Sequence, residues 1–283
     1  PGITGSVYGG VKFIDVSGSS TVISNNIVTI SGSEIGNDVS GGYAHTAGES
    51  SAATVDNNTV TVSDNSIIEY DVYGGNAHTA GESSPATAGS NTVTVSGSAV
   101  EEGRVYGGYA YTAGESSSAT ANNNTVTVSG NSTIEGNVYG GNAYTDGESS
   151  PATADNNTVT VSGSTVSGYV FGGDAYAVCE SSAATAATAD NNTVTVTDSR
   201  VESNVYGGYA DSESYDVSRS APATADNNTL TVTGSKVEGF VIGALAFSRE
   251  SSASVAGNAV TITDSIINDE WGGVFTAAMP RVN

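Results

Sequence analysis

One phrase, NNTVTV and its variants, returns along the chain at a nearly fixed interval, and self-similarity at a period of roughly 20 to 50 residues is the signature of a fold built by stacking copies. Its first strand residue falls at Ile27, Thr59, Thr92, Thr125, Thr158, Thr193, Thr229 and Ala259, in steps of 32, 33, 33, 33, 35, 36 and 30. A second phrase, VYGG, keeps the same pace, with valines at Val7, Val39, Val72, Val105, Val138, Val170, Val205 and Val241 and a degenerate copy at Trp271. Two phrases on one period define eight copies of one unit.

Within a copy, Thr59-Val60-Thr61-Val62 alternates polar and apolar β-branched residues. That is the period of a strand with valines inward and threonines outward. A Ser/Gly/Asn turn follows, as in SGSAVEEGRVYGG (96–108), and a second short strand then ends at the Gly-Gly pair, where a sharp bend is expected. A third, weaker strand is expected through YAYTA (109–113), and GESSSATANN and its variants read as a loop leaving the coil. No single copy buries its few valines alone, whereas stacked copies share a continuous core. The helical period is absent from every copy, so the fold class is all-β: a parallel β-helix, or β-solenoid, of about eight ~33-residue repeats. A propeller is the second choice. One copy per rung at ~4.8 Å gives a rod roughly 40 Å long; two smaller rungs per copy is the other spacing the period allows. The chain reads as one domain over 1–283, with repeats from about 7 to 273 and a tail or cap over 274–283.

Composition narrows the function. Lys and Arg total 7 against 30 acidic residues, a net charge of -23, which excludes the phosphate neutralisation that nucleic-acid binding needs. Anionic membrane surfaces are disfavoured for the same reason, and no apolar run approaches the ~18 residues of a spanning helix. Cys179 is the only cysteine and reads as a small apolar filler. The chain starts at Pro1, as a processed product or a cut piece would.

The alternation of NTVTVSGS with GNVYGG (136–141) resembles the repeats of bacterial autotransporter passenger domains, over nearly the whole chain from Val7 to Gly273. The resemblance implies a right-handed parallel β-helix exported to the cell surface and used in adhesion, aggregation or coating.

No catalytic constellation is recognisable, so the chain reads as a non-enzyme without a cofactor. Catalysis on a β-helix needs carboxylates that break the repeat and converge. Here Glu49, Glu82, Glu115, Glu148 and Glu180 share one slot per copy and form a ladder. Calcium bridging of that ladder is the one metal reading it invites, against solvated loops. His45 and His78 share a slot with Tyr111 and Tyr144, which reads as an aromatic stripe more readily than as a metal site. Tyr8, Tyr73, Tyr106, Tyr139, Phe171 and Tyr206 follow the VYGG valine and are expected to face outward as a second stripe, able to stack on host or neighbour-cell glycans or on each other. Tyr43, Tyr109 and Tyr209 alternate with Asn76, Asn142 and Asp174 just after the glycines. The Thr-x-Thr ladders, such as Thr92/Thr94 and Thr125/Thr127, would suit an ice-binding face. The apolar end, with Trp271, Val274, Phe275 and Met279, could close its own sheet edge or dock on the first rung of a second copy. The expected partners are therefore the chain itself, head to tail, or surface glycans, in an extracellular setting.

Overall fold

A computed structural model describes residues 2–179, 185–214, 221–248, 252–268 and 274–275. Among them there is no helix, and every strand pairs parallel with its counterpart in the next copy. The chain is an all-β parallel β-solenoid with one copy per rung. Thr92 pairs with Thr59 below and Thr125 above, one copy away in each direction. That register removes both the two-rung spacing and the propeller.

Each rung carries four strands, shown by the central copy as Thr92–Ser96, Ala99–Val100, Val105–Thr112 and Ala119–Thr120. Stacked, the four make sheets of eight, nine, ten and eight strands. We call them the threonine sheet, the corner sheet, the long sheet and the alanine sheet.

Three expectations need correction. YAYTA is not a separate strand, because it continues VYGG in one eight-residue strand, Val105–Thr112. GESSSATANN does not leave the coil. Its GESS part is a tight turn with Ser50, Ser83, Ser116 and Ser149 at φ of 51 to 53°, and its alanines are the buried face of the fourth sheet. The rung is therefore the whole repeat. The Gly-Gly pair is not needed for a left-handed bend, since among the described residues neither glycine of the pair has positive φ in any copy. Glycine is there because the opposite wall is too close: a Cβ on Gly75 would lie 2.5 Å from Asn91 Nδ2 and 2.9 Å from Val55 Cγ1.

That close approach divides the interior into two lobes. One is filled by valine and isoleucine from the threonine, corner and long sheets, such as Val126, Val128, Ile134 and Val138. The other is filled almost wholly by alanine from the long and alanine sheets, such as Ala110, Ala119 and Ala121. Between them runs a buried ladder of Asn58, Asn91, Asn124, Asn157, Asn192 and Asn228. Each amide Nδ2 donates to Oδ1 of the next asparagine at 3.0 to 3.2 Å. The backbone N–H of each asparagine donates to that same oxygen at 2.8 to 3.0 Å. The remaining amide hydrogen reaches a backbone carbonyl, as from Asn124 Nδ2 to Ala88 at 3.0 Å. A buried amide with every donor and acceptor satisfied stabilises the waist instead of straining it. The residue before each ladder member, an asparagine such as Asn123 at φ 61° or, before Asn91, Ser90 at φ 54°, takes the left-handed conformation that turns the chain into the waist.

Candidate functional site

Outside the waist, the long sheet folds inward at its Gly-Gly pair and forms a groove. In a flat strand, side chains three residues apart leave opposite faces about 10 Å apart along the chain. Here the rings of Tyr106 and Tyr109 meet at 5.3 Å and 61°. Three lanes of side chains run along this groove, parallel to the solenoid axis.

The first lane holds the tyrosines that follow the VYGG valine. Tyr73, Tyr106, Tyr139, Phe171 and Tyr206 stack in succession at 4.8 to 5.1 Å with planes within 5° of parallel. Tyr8 is outside the stack, because Ser40 occupies the rung between it and Tyr73. The expectation of an open outward stripe is corrected: Tyr106 is 4% exposed and Tyr139 7%. The fold at Gly-Gly covers one edge of the lane, and neighbouring rings cover both faces of Tyr106, Tyr139 and Phe171. No face of those three rings is left for a sugar to stack on. Burial pushes the Tyr139 hydroxyl up to about 12, offset in part by the hydrogen bond donated by Asn137.

The second lane runs Tyr43, Asn76, Tyr109, Asn142, Asp174 and Tyr209. Tyr109 and Tyr209 stand edge-to-face against the first lane, and burial pushes the Tyr109 hydroxyl up to about 12. Asn142 Nδ2 donates to Asp174 Oδ2 at 2.8 Å. Burial pushes the Asp174 carboxyl up to about 7, the Asn142 hydrogen bond pulls it down, and the nearby Asp211 charge raises it again.

The third lane is His45, His78, Tyr111, Tyr144 and Tyr176, stacked at 4.6 to 5.3 Å. Burial, then the neighbouring His45 charge, lower His78 to about 4, so His78 is neutral at pH 7. His78 Nδ1 is buried without a hydrogen-bond partner. Among the described residues no three His, Cys, Asp or Glu side chains come together as a metal site.

The remaining predicted residues lie elsewhere. Glu49, Glu82 and Glu115 are exposed and Glu148 half-buried at the turn into the alanine sheet, where their backbone carbonyls accept N–H groups from the adjacent rung, as Glu82 does from Ser50 at 2.8 Å. Glu180 lies outside the described residues. Val274–Phe275 form a strand paired with Val241 and Ile242, while Trp271 and Met279 lie outside the described residues.

Sequence reasoning passed over the alanine strand and a second carboxylate ladder beside it. Asp155 Oδ1 accepts the Asp190 N–H at 2.8 Å, and Asp190 Oδ1 accepts the Asp226 N–H at 2.7 Å. Burial raises Asp155 to about 6, lowered by that hydrogen bond and raised by Asp190. The signal was present as the recurring ADNN, which a loop reading set aside. No family model, curated protein or solved structure matches the chain.

Proposed function

We propose that the chain is a non-catalytic structural and adhesive solenoid of a bacterial surface or extracellular matrix, of the right-handed autotransporter-passenger type, able to assemble end to end. The observation that carries this reading is the register. Outward positions of a copy recur one rung away in the next, as when Thr92 and Thr94 lie beside Thr125 and Thr127. A rod of that kind presents one surface chemistry many times, which suits multivalent attachment. Parallel strand edges at a rod's ends are templates for an added strand, so a second copy is the natural end-to-end partner. Electron microscopy and light scattering of the purified chain test assembly, and retention of chain-coated beads on bacterial cells tests adhesion. Monodisperse monomers at high concentration that hold no beads would end the reading.

One observation favours ice binding as a second reading. Thr29, Thr61, Thr94, Thr127, Thr160, Thr195, Thr231 and Thr261 form an unbroken outward lane on the threonine sheet. Thermal hysteresis in the parent that vanishes in Thr127→Leu/Thr160→Leu supports it; absence of hysteresis in the parent removes it.

A further inference from the structure

The turn between the threonine sheet and the corner sheet varies from rung to rung in one slot, the residue before the buried serine. On three successive rungs that slot holds Asn131, Gly163 and Asp198, all left-handed, at φ of 64, 57 and 49°. The middle rung therefore lacks a side chain where both its neighbours carry one. The gap is open space: a Cβ on Gly163 would meet no atom within 4 Å, whereas one on Gly234, in the same slot one rung beyond Asp198, would strike Asp198 Oδ1. Around Gly163 lies a cleft of about 300 Å³ that spans the three rungs.

The back of the cleft is rigid. Ser132, Ser164 and Ser199 are buried and bonded along the axis, with the Ser132 and Ser164 N–H groups each donating to the next Oγ at 3.2 Å, and Ser164 Oγ donates to the Ser162 carbonyl at 3.0 Å. Five other side chains line the cleft: Asn131, Asp198 and the in-register series Thr133, Thr165 and Arg200. Thr165 is half-buried at the centre, and Thr133 and Arg200 are exposed on either side. Arg200 is anchored by two ion pairs, Nε to Glu202 Oε1 at 3.1 Å and Nη2 to Glu238 Oε1 at 2.7 Å, and its Nη1 takes part in neither.

That lining selects a ligand class. An amide, a carboxylate, a guanidinium and two hydroxyls disfavour an apolar ligand, whose docking would leave those groups unpaired. Asp198 and the net charge of -23 disfavour an anion, and Arg200 disfavours a cation. A sugar ring is neutral, and its hydroxyls both donate and accept. Two adjacent hydroxyls match the paired polar atoms of a carboxylate, an amide or a guanidinium. A volume at the lower end of small-ligand sites suits one ring.

We propose that the cleft at Gly163 is a binding site for one ring of a neutral sugar, with Thr165 at its floor, Asn131 and Asp198 at its two ends and Arg200 as a donor at its rim. The proposal rests on the adhesive reading and gives it a ligand class and a place on the rod.

Methyl α-mannoside and methyl β-galactoside are the probes, with methyl β-glucuronide as an anion of the same shape. Each is titrated to tens of millimolar into the isotope-labelled full chain and followed by amide NMR shifts. Saturable shifts centred on Gly163 and Thr165 from at least one neutral sugar, and none from the glucuronide, are the expected result. Gly163→Asn places in the gap the side chain that the slot already carries at Asn131, so it should abolish binding and keep the parent melting temperature. Gly32→Asn makes the same change on a distant rung at φ 56° and should leave binding unchanged. Thr165→Val keeps the shape of the floor and should weaken binding about fivefold, as one lost hydrogen bond does, which preserves the test if Gly163→Asn does not fold. Equal binding of the glucuronide, or binding that survives both Gly163→Asn and Thr165→Val, overturns the proposal. A parent chain that holds cells in the bead assay but gives no saturable sugar shifts also overturns it, and leaves the adhesive reading standing; sugar binding at Gly163 by a chain that holds no cells supports the site and ends that reading.

Discussion

The two lobes of each rung share one backbone path and differ in what fills them. In the valine lobe three sheets surround the interior, and each inward position takes a branched side chain, as Val93, Val95, Val100 and Val105 do in one rung. In the alanine lobe two sheets face each other closely, and Ala110, Ala119 and Ala121 fill the space. Burial of apolar area stabilises the first lobe strongly. The second buries less per residue and is held by backbone pairing and by serine hydroxyls such as Ser117 Oγ, which accepts the Ser84 N–H at 2.8 Å. The largest variation in repeat length falls on the same side, between the long strand and the alanine strand of the two longest copies, whereas the turns flanking the corner strand differ by single residues. Tight side-chain packing and tolerance of longer insertions are thus divided between the two halves of one coil.

The waist between the lobes is where a single change should cost most. Asn124→Leu removes an amide that bonds Ala88, Asn157 and, through its oxygen, the Asn91 backbone. Leaving two or so buried polar groups unpaired predicts a loss of about 2–5 kcal/mol in denaturant unfolding; a loss under ~1 kcal/mol would show that the ladder is incidental.

Next come exchanges between the lobes. Val126→Ala should lose about 2 kcal/mol through removed methyl groups and the cavity they leave. Ala110→Val should lose about 1–3 kcal/mol through overpacking, because every copy has alanine in that slot from Ala44 to Ala246. Ala121→Val sharpens the contrast. Its slot holds Val55 two rungs below, so it should be near neutral. Equal effects of the two alanine substitutions would mean that the lobe is uniformly tight or uniformly loose.

The smallest effect is that of pH. The folded state raises Asp155 to about 6 and Asp174 to about 7, and it raises Asp38, Asp56 and Asp190 as well. Burial is the leading cause in each case. Folded carboxyls with raised pKa bind protons that the unfolded chain does not, so the five together should outweigh the opposite contribution of His78, lowered to about 4, and stability should increase as pH falls from about 7 toward 4. Melting temperature against pH checks the sign, and Asp155→Asn should flatten the rise. A chain that melts lower at pH 5 than at pH 8 would contradict it.

Much of the coil was legible in the sequence. The Thr-Val alternation and the period each map onto one physical requirement, and the structure places them as strand and rung. The alanine strand was hidden because Ala and Ser are weak strand formers and resemble a loop in composition. Only pairing with the rungs on either side makes SATA a sheet. Gly-Gly misled for a related reason, since a glycine required by the approach of an opposite wall looks in sequence like one required by a bend. For the groove, the slot of each tyrosine was legible but its exposure was not, because that depends on the inward fold at Gly107 and Gly108. Asp174 left one trace, the exchange of Tyr for Asn or Asp in the slot after the glycines.

The central claim is one repeat per rung, in register. Spin labels at Thr61→Cys and Thr94→Cys, in a Cys179→Ala background, measure it directly, because these positions pair across adjacent rungs. At the ~4.8 Å spacing of neighbouring strands the two labels should give an exchange-narrowed spectrum. A dipolar spectrum corresponding to about 10 Å or more between the two strands would contradict the stacking on which the lobes, the waist and the groove depend.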